Sequence, residues 1–312
     1  MRKKRYTVAC LAGDGIGPEL MAEASRALAE VSHLHGFAVE EVHVPFGGEA
    51  VRRFGHPLPR ATRAECRRAD AVLAAATKEP ALDGVKADLD LTWRITAVRL
   101  DSAGDLAVVS PLAGGAEEWT IDRAFALACD RRARVTSVGT GRAWTEAVEQ
   151  AAARYDGVAV EHRPFEDALP VLLSEPARFD VVLTEEVFAQ ALSGTAAFAH
   201  GGRRLVASGR LSPHGPGIFG PTHGSAPDIA GQGVANPSGM LFAAALMLGE
   251  GLGERAAART LHSAVGRALG NGIRTADMVA SGVGATTRQF MDVLLAELPA
   301  ARTDAEFAEA RP

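Results

Sequence analysis

Long hydrophobic runs are missing from this 312-residue chain. The longest, around Met240–Leu248, falls far short of the about 20 apolar residues that span a bilayer, so no membrane partner is expected. Cysteine is scarce, and the three present (Cys10, Cys66, Cys129) are widely spaced, with no Cys-x-x-Cys pair. That excludes a disulfide framework and fits small buried side chains in a reducing, cytoplasmic setting. The basic start is followed by an apolar stretch that breaks at Gly13-Asp14-Gly15, too soon for a signal-peptide core. A basic excess is lacking as well. The 33 Lys and Arg against 38 Asp and Glu leave a net charge of −5, so no nucleic-acid partner is expected. Aromatics are only 5% while glycines number 33, a balance of wound α/β proteins rather than β-sandwiches. With 47% apolar residues, disorder is excluded, and neither an internal repeat nor a low-complexity linker interrupts the chain.

What is present is an alternation of short β-rich runs with amphipathic helices. Tyr6–Leu11 reads as a strand, followed by a turn at Gly13–Pro18. The helix after it carries Leu20, Ala24, Leu28 and Val31 on one face and stops at Gly36. Val42, Val44 and Phe46 alternate as a strand does, and Ala71–Ala76 is wholly apolar, like a strand buried on both faces. In the middle, Leu106–Val109, Val135–Val138, Val158–His162 and Val181–Thr184 read as strands, with helices over Ala116–Arg131 and Ala143–Tyr155. A Gly/Pro-rich stretch, His214–Gly220, leads into Pro221–Pro237; helices follow over Ser238–Leu248, Glu254–Leu269 and Thr286–Leu298. The expected class is α/β, an open twisted sheet flanked by helices and organised as two intimately joined lobes.

Two glycine-bearing segments carry the functional signal. Gly13-Asp14-Gly15-Ile16-Gly17 departs from the dinucleotide fingerprint, because its third glycine comes early and Pro18 intervenes. Alone it reads as a tight strand–helix turn. The segment Gly220–Pro237 is long and irregular, with His, Ser, Asp and Asn placed among Gly and Pro. Such a backbone can wrap a flat ligand, its amides free for phosphate and its side chains for ribose or base. It closely resembles the adenosine-binding loop of the β-decarboxylating dehydrogenases, the family of isopropylmalate, isocitrate, homoisocitrate and tartrate dehydrogenases. Leu11–Glu19, Gly55–Pro59, Asp70–Ala76 and Gly272–Asp277 extend the resemblance over most of the chain.

The resemblance implies an isopropylmalate dehydrogenase-like fold. Residues 1–91 plus 202–312 would form a nucleotide-binding lobe, and 92–201 a substrate lobe through which a homodimer forms. It implies NAD as cofactor, with His223, Gly224, Ser225 and Ala226 against its pyrophosphate and adenosine. Asp228 would accept hydrogen bonds from the adenosine ribose 2′-hydroxyl, with Ile229 beside it; a carboxylate there repels the extra phosphate of NADP. Asn236 would face adenine, Asp277 would lie near the same pocket, and Glu79 would approach the nicotinamide ribose.

The other half of the family's site is altered. Relatives hold a hydroxyacid through three arginines, a divalent cation on aspartates and a Lys/Tyr pair that moves protons. Here Lys86 stands at the first arginine position and Thr96 at the second, with Arg94 nearby, and Ser110-Pro111 stands at the third. The tyrosine segment after Gly114-Gly115 is missing, and Gly139-Thr140 replaces the lysine. The metal positions read Glu166 (or Asp167), Gln190 and Gly194, a poor set for an ion that wants several oxygens in near-octahedral array, so no metal is expected. Lys86 and Arg94 read equally as anion-binding groups and as surface ion-pair partners. Glu166 reads as a surviving acid/base or as a charge favoured at a helix N-terminus. Glu185-Glu186 could face a cleft at a strand end, although adjacent carboxylates diverge. His33, His35, His162 and His262 lack metal-ligand spacing, and Trp93 and Trp144 read as core or as lining of an altered pocket. The expected function is NAD-dependent oxidoreduction with altered, metal-independent chemistry on a small-molecule substrate or nucleotide. Two alternatives stay open: a non-catalytic or regulatory nucleotide-binding homologue, and an enzyme that consumes NAD or a similar nucleotide.

Overall fold

A computed structural model describes residues 3–75, 81–100, 104–112, 115, 117–199, 202–279 and 283–299. The first apolar run is β1 (Arg5–Leu11), and the glycine turn delivers the chain into α1 (Gly17–His35). Pro18 sits in the first turn, where a missing N–H is harmless, and Gly36 closes the helix in the left-handed region at φ 76°. Next come β2 (Ala38–His43), α2 (Gly48–Phe54), α3 (Arg60–Arg68), β3 (Ala71–Ala74) and α4 (Ala81–Ala87). The middle of the chain supplies β4 (Trp93–Leu100), β5 (Gly104–Pro111), α5 (Glu117–Cys129), β6 (Arg134–Val138) and α6 (Gly141–Ala152). It continues through β7 (Ala159–Arg163), α7 (Phe165–Ser174), β8 (Val181–Thr184) and α8 (Glu186–Ala199). The remainder is β9 (Val206–Leu211), β10 (Gly217–Pro221), α9 (Ser238–Leu246), α10 (Arg255–Gly270) and α11 (Thr287–Ala296).

These strands form one sheet in the order β2-β1-β3-β10-β9-β4-β5-β8-β6-β7. Pairing is parallel except at the centre, where β10–β9, β9–β4 and β4–β5 run antiparallel. The second strand differs from the sequence expectation. It pairs with β1 from Ala38 to His43, and after Val44, whose N–H still donates to the Cys10 carbonyl at 3.2 Å, the chain leaves the sheet. Phe46 leaves the sheet and packs into a core below it. Among the described residues no helix is long and apolar enough to cross a membrane.

Burial follows the two-residue alternation of the strands and divides the molecule into unequal faces. On one face a single core runs the width of the sheet, joining Val8, Trp93, Val109, Leu183 and Phe219 to α1, α5, α9 and α10. On the other face the core is split. Val108, Val182, Leu172 and Leu192 form one cluster, and Leu11, Phe46, Val72 and Ile218 form another. Between these two clusters, above β4, β9 and β10, the sheet is uncovered and a cleft opens. The cleft lies where an open α/β sheet changes strand direction, the position that ligands favour in such folds.

Candidate active site

One wall of the cleft is the loop that follows β10. Its course is dictated by close backbone contacts: a Cβ at Gly220 would meet the Ala74 carbonyl oxygen at 2.3 Å. The Gly13–Gly17 turn is the seat of this loop. Ile16 N–H donates to the Ser225 carbonyl at 2.9 Å, and a Cβ on Gly15, itself at φ 59°, would lie 1.8 Å from that oxygen. The segment that resembles a phosphate cradle is therefore a clamp on the loop, and only glycine fits it. Ala226 adopts φ 36°, which turns the chain away from the clamp.

His223 lines the cleft. Its Nδ1 lies 3.0 Å from the Gly224 carbonyl oxygen, which can only accept, so the ring proton sits on Nδ1. Nε2 is buried and has no partner, as does the Thr222 hydroxyl beside it. Burial lowers the His223 pKa, so the ring is neutral and its buried Nε2 keeps an unshared acceptor lone pair. Gly224 is exposed with open space around it, and Asp228 is exposed with its backbone carbonyl held by Gln232 at 2.8 Å. Ile229 packs against the main core.

The far end of the loop is braced rather than open. The Asn236 side-chain oxygen accepts from Ser238 N–H at 2.7 Å, its amide nitrogen abuts the Met278 sulfur, and its backbone N–H donates to Asp277 at 3.2 Å. Asp277 also accepts from the Thr275 hydroxyl at 2.6 Å and pairs with Arg204 at 3.4 Å. Both side chains serve the loop's shape. Glu79 lies outside the described residues.

The floor is made by β4 and β9. Trp93 and Ile95 face the main core, leaving Arg94 and Thr96 to face the cleft; Arg210 and Ser208 stand directly opposite them on β9. Arg94 is only 11% exposed, and its Nη2 stands 3.8 Å from Glu186. Burial and the neighbouring Arg210 lower its pKa from the ordinary guanidinium value. Lys86 lines the cleft from α4 and pairs with Asp83 at 2.9 Å. Arg210, Ser208 and Arg203 escaped sequence reasoning; the alternation in Val206–Leu211 was the signal that could have found the first two.

The third wall is α8, which turns Gln190 and, one turn on, Gly194 into the cleft. Glu185 diverges from Glu186 and accepts from Thr140 N–H at 2.8 Å. Glu166 is exposed in the first turn of α7 and does not line the cleft of its own chain. Trp144 and Trp93 are core residues: Trp144 donates to the Ser137 hydroxyl at 2.9 Å and covers Gly139, while Trp93 packs edge-on against Trp119.

A divalent cation does not fit here. Gln190 offers one neutral oxygen, Gly194 none, and two guanidinium groups occupy the same cleft. Among the described residues the one cluster at ligand spacing, Cys10, Glu41 and His43, is on β1 and β2 away from the cleft. A dinucleotide does fit. The His223 Nε2 and Thr222 hydroxyl are unpartnered and the backbone at Gly224 is open, a set that suits the hydroxyls of a ribose and the oxygens of a pyrophosphate.

Fold and site together define an open-sheet α/β protein whose cleft joins a nucleotide-type loop to a cationic floor. The family described as isocitrate/isopropylmalate dehydrogenase matches residues 7–93 and 110–294. The 3-isopropylmalate dehydrogenase of Synechococcus sp. (strain CC9605) is 36% identical, covering 89% of this chain and 95% of its own. That of Streptococcus mutans serotype c (strain ATCC 700610 / UA159) is 33% identical, covering 93% and 99%. Among solved structures, the apo form of a β-decarboxylating dehydrogenase from Thermococcus kodakarensis superposes with a TM-score of 0.78 at 27% identity, over 94% of this chain and 96% of that one. The isocitrate dehydrogenase of Methylococcus capsulatus, at 23% identity and a TM-score of 0.76 over 94% and 99%, shares the fold. The chain belongs to the isocitrate/isopropylmalate dehydrogenase family. The match breaks between Trp93 and Ser110, the hairpin that carries Arg94.

Proposed function

We propose that this protein is an NAD-binding oxidoreductase of the family that handles a small hydroxyacid or oxoacid without a divalent cation. One observation carries the reading: the nucleotide wall keeps buried, unpartnered hydrogen-bonding atoms at Thr222 and His223, whereas the metal wall has Gln190 and Gly194. When bound, NAD supplies the hydride acceptor. That chemistry would convert a 2-hydroxyacid to the corresponding 2-oxoacid.

The chain's own residues bind and orient. Neutral His223 accepts a hydrogen bond at Nε2, and Asp228 accepts from ribose hydroxyls and repels a 2′-phosphate. Arg94 and Arg210 hold the substrate carboxylate against the cofactor, which fixes the reacting carbon. Calorimetry with NAD and NADP in EDTA tests this reading. NAD binding tighter than NADP supports it, and absence of NAD binding overturns it.

A second reading, a non-catalytic nucleotide-binding homologue, is favoured by Gly139, which sits under Trp144 where the lysine of relatives is expected. NADH formation from any hydroxyacid removes that reading. The apolar faces of α7 and α8 also support a homodimer. Val187 is 76% and Phe198 88% exposed, and Phe165 stacks on Phe188 at the join of the two helices. Sedimentation of the wild type against Val187→Asp checks the dimer.

A further inference from the structure

The cleft floor holds an arrangement that packing alone would avoid. Arg94 on β4 stands directly opposite Arg210 on β9, and like charges facing each other across an antiparallel pair destabilise it. Among the described residues one carboxylate pairs with Arg94, that of Glu186 at 3.8 Å. The Arg94 Nε is buried with no partner. Arg210 takes part in no ion pair or side-chain hydrogen bond among the described residues. Lys86 and Arg203 line the same cleft of about 400 Å³, and among the described lining residues there is no carboxylate.

Two planar guanidinium forks side by side, with no carboxylate of the described lining residues between them, form an anion receptor. Thr96 and Ser208, the next cross-strand pair on the same face, add hydroxyls beside it. Opposite stand Gln190 and Gly194, which neither compete for the guanidinium groups nor gather a cation. Arg94 lies in the stretch between the two segments that the family model matches.

We propose that Arg94 and Arg210 form a paired-guanidinium receptor that binds a small dicarboxylate directly, with no divalent cation between protein and ligand. The proposal deepens the function given above and rests on it for the cofactor that faces the receptor. Each fork matches one planar carboxylate, which is why the ligand is a dicarboxylate rather than a phosphate.

The test is calorimetry on the full chain in EDTA, with malate, isopropylmalate and inorganic phosphate as probes, with and without NAD. At least one dicarboxylate is expected to bind in EDTA, with affinity unchanged when Mg²⁺ is added. Arg210→Gln and Arg94→Gln should each weaken it about 10–100-fold, the worth of a charge-assisted hydrogen bond, and Arg210→Lys should fall between. NAD affinity of Arg210→Gln should equal that of the wild type, which shows that the cleft is folded. Dicarboxylate binding that needs Mg²⁺, no dicarboxylate binding at all, phosphate bound more tightly than either dicarboxylate, or an unchanged Arg210→Gln overturns the receptor. NAD that fails to bind while a dicarboxylate binds through Arg210 overturns the cofactor reading and leaves the receptor standing.

Discussion

The loop wall and the strand floor of the cleft are held in place by opposite means. The loop is clamped through its backbone: Ile16 grips Ser225 at one end, Asn236 and Asp277 brace the other, and the Thr222 hydroxyl and His223 Nε2 are left without partners. The floor is held by the sheet itself, and its side chains repel one another, Arg94 against Arg210. The difference teaches how such a site can diverge. A backbone-clamped loop tolerates few substitutions because each residue has its own conformation to satisfy. A strand presents alternate side chains from a fixed ladder, so its cleft face can be rewritten while Trp93 and Ile95 keep the core face intact.

The comparison breaks most severely at Gly15. A valine there would carry a Cβ at positive φ and drive it into the Ser225 carbonyl. Gly15→Val is expected to lose about 1–3 kcal/mol of stability from backbone strain alone. It should weaken NAD binding by more than the about tenfold typical of one lost contact, because the whole loop is displaced. Dicarboxylate affinity at the floor should survive. Thermal melts with calorimetry for both ligands check this, and equal loss at both walls would show that they are not independent.

Asp228 sharpens the same contrast on the loop side. Asp228→Asn removes the charge that repels a 2′-phosphate and weakens the bond to a ribose hydroxyl. NAD affinity is expected to fall about tenfold, with the NAD-to-NADP ratio moving toward one. A ratio unchanged from the wild type would exclude this carboxylate as the discriminating group.

How much could be read from the sequence follows from the same physics. The loop was legible because its information is local: Gly, Pro, Ser and Asp at set intervals in one continuous stretch spell an irregular backbone. The clamp role of Gly15 was not, since Ser225 reaches it only through the parallel sheet. The receptor was invisible for a similar reason, because Arg94 and Arg210 become neighbours only when β9 pairs with β4. Alternation over Trp93–Val98 and Val206–Leu211 was present, yet Gly209, Gly217, Gly220 and Pro221 disguise β9 and β10 as loop. Those glycines serve packing: a Cβ at Gly209 would press on the Phe219 ring at 2.8 Å. Lys86 and Arg94 do line the cleft, whereas Glu166 sits exposed at a helix start.

Acid separates the walls by titration. Burial lowers the pKa values of His223 and His262, and of His35 as well. The unfolded chain takes up these protons near the ordinary value of about 6.5 while the folded chain resists. Stability is therefore full above about pH 6.5 and declines as pH falls below it. NAD affinity should decline at lower pH still, where the folded protein's His223 Nε2 is protonated at its lowered pKa, while the guanidinium floor does not titrate there. His223→Asn should abolish the acid limb of NAD binding but reduce the acid loss of stability only in part, since His262 and His35 remain. An acid limb that persists in His223→Asn would move the titrating group elsewhere.

The smallest expected effect asks whether Gly194 is kept for helix or for cleft. It lies inside α8, and a Cβ built there meets nothing within 4 Å. Glycine in a helix interior costs about 0.5–1 kcal/mol relative to alanine, so Gly194→Ala should raise stability by that amount, read as a higher melting temperature. A methyl group in open space leaves the receptor's charge unchanged, so dicarboxylate affinity should stay at the wild-type value. Gln190→Asp with Gly194→Asp puts two carboxylates opposite Arg94 and Arg210. Those carboxylates would compete for the guanidinium groups and weaken dicarboxylate binding in EDTA, a loss that Mg²⁺ should partly reverse by neutralising them. If the acidic pair instead left binding in EDTA untouched, α8 would not face the receptor closely enough for its lost charge to matter, and the floor alone would set the chemistry of the cleft.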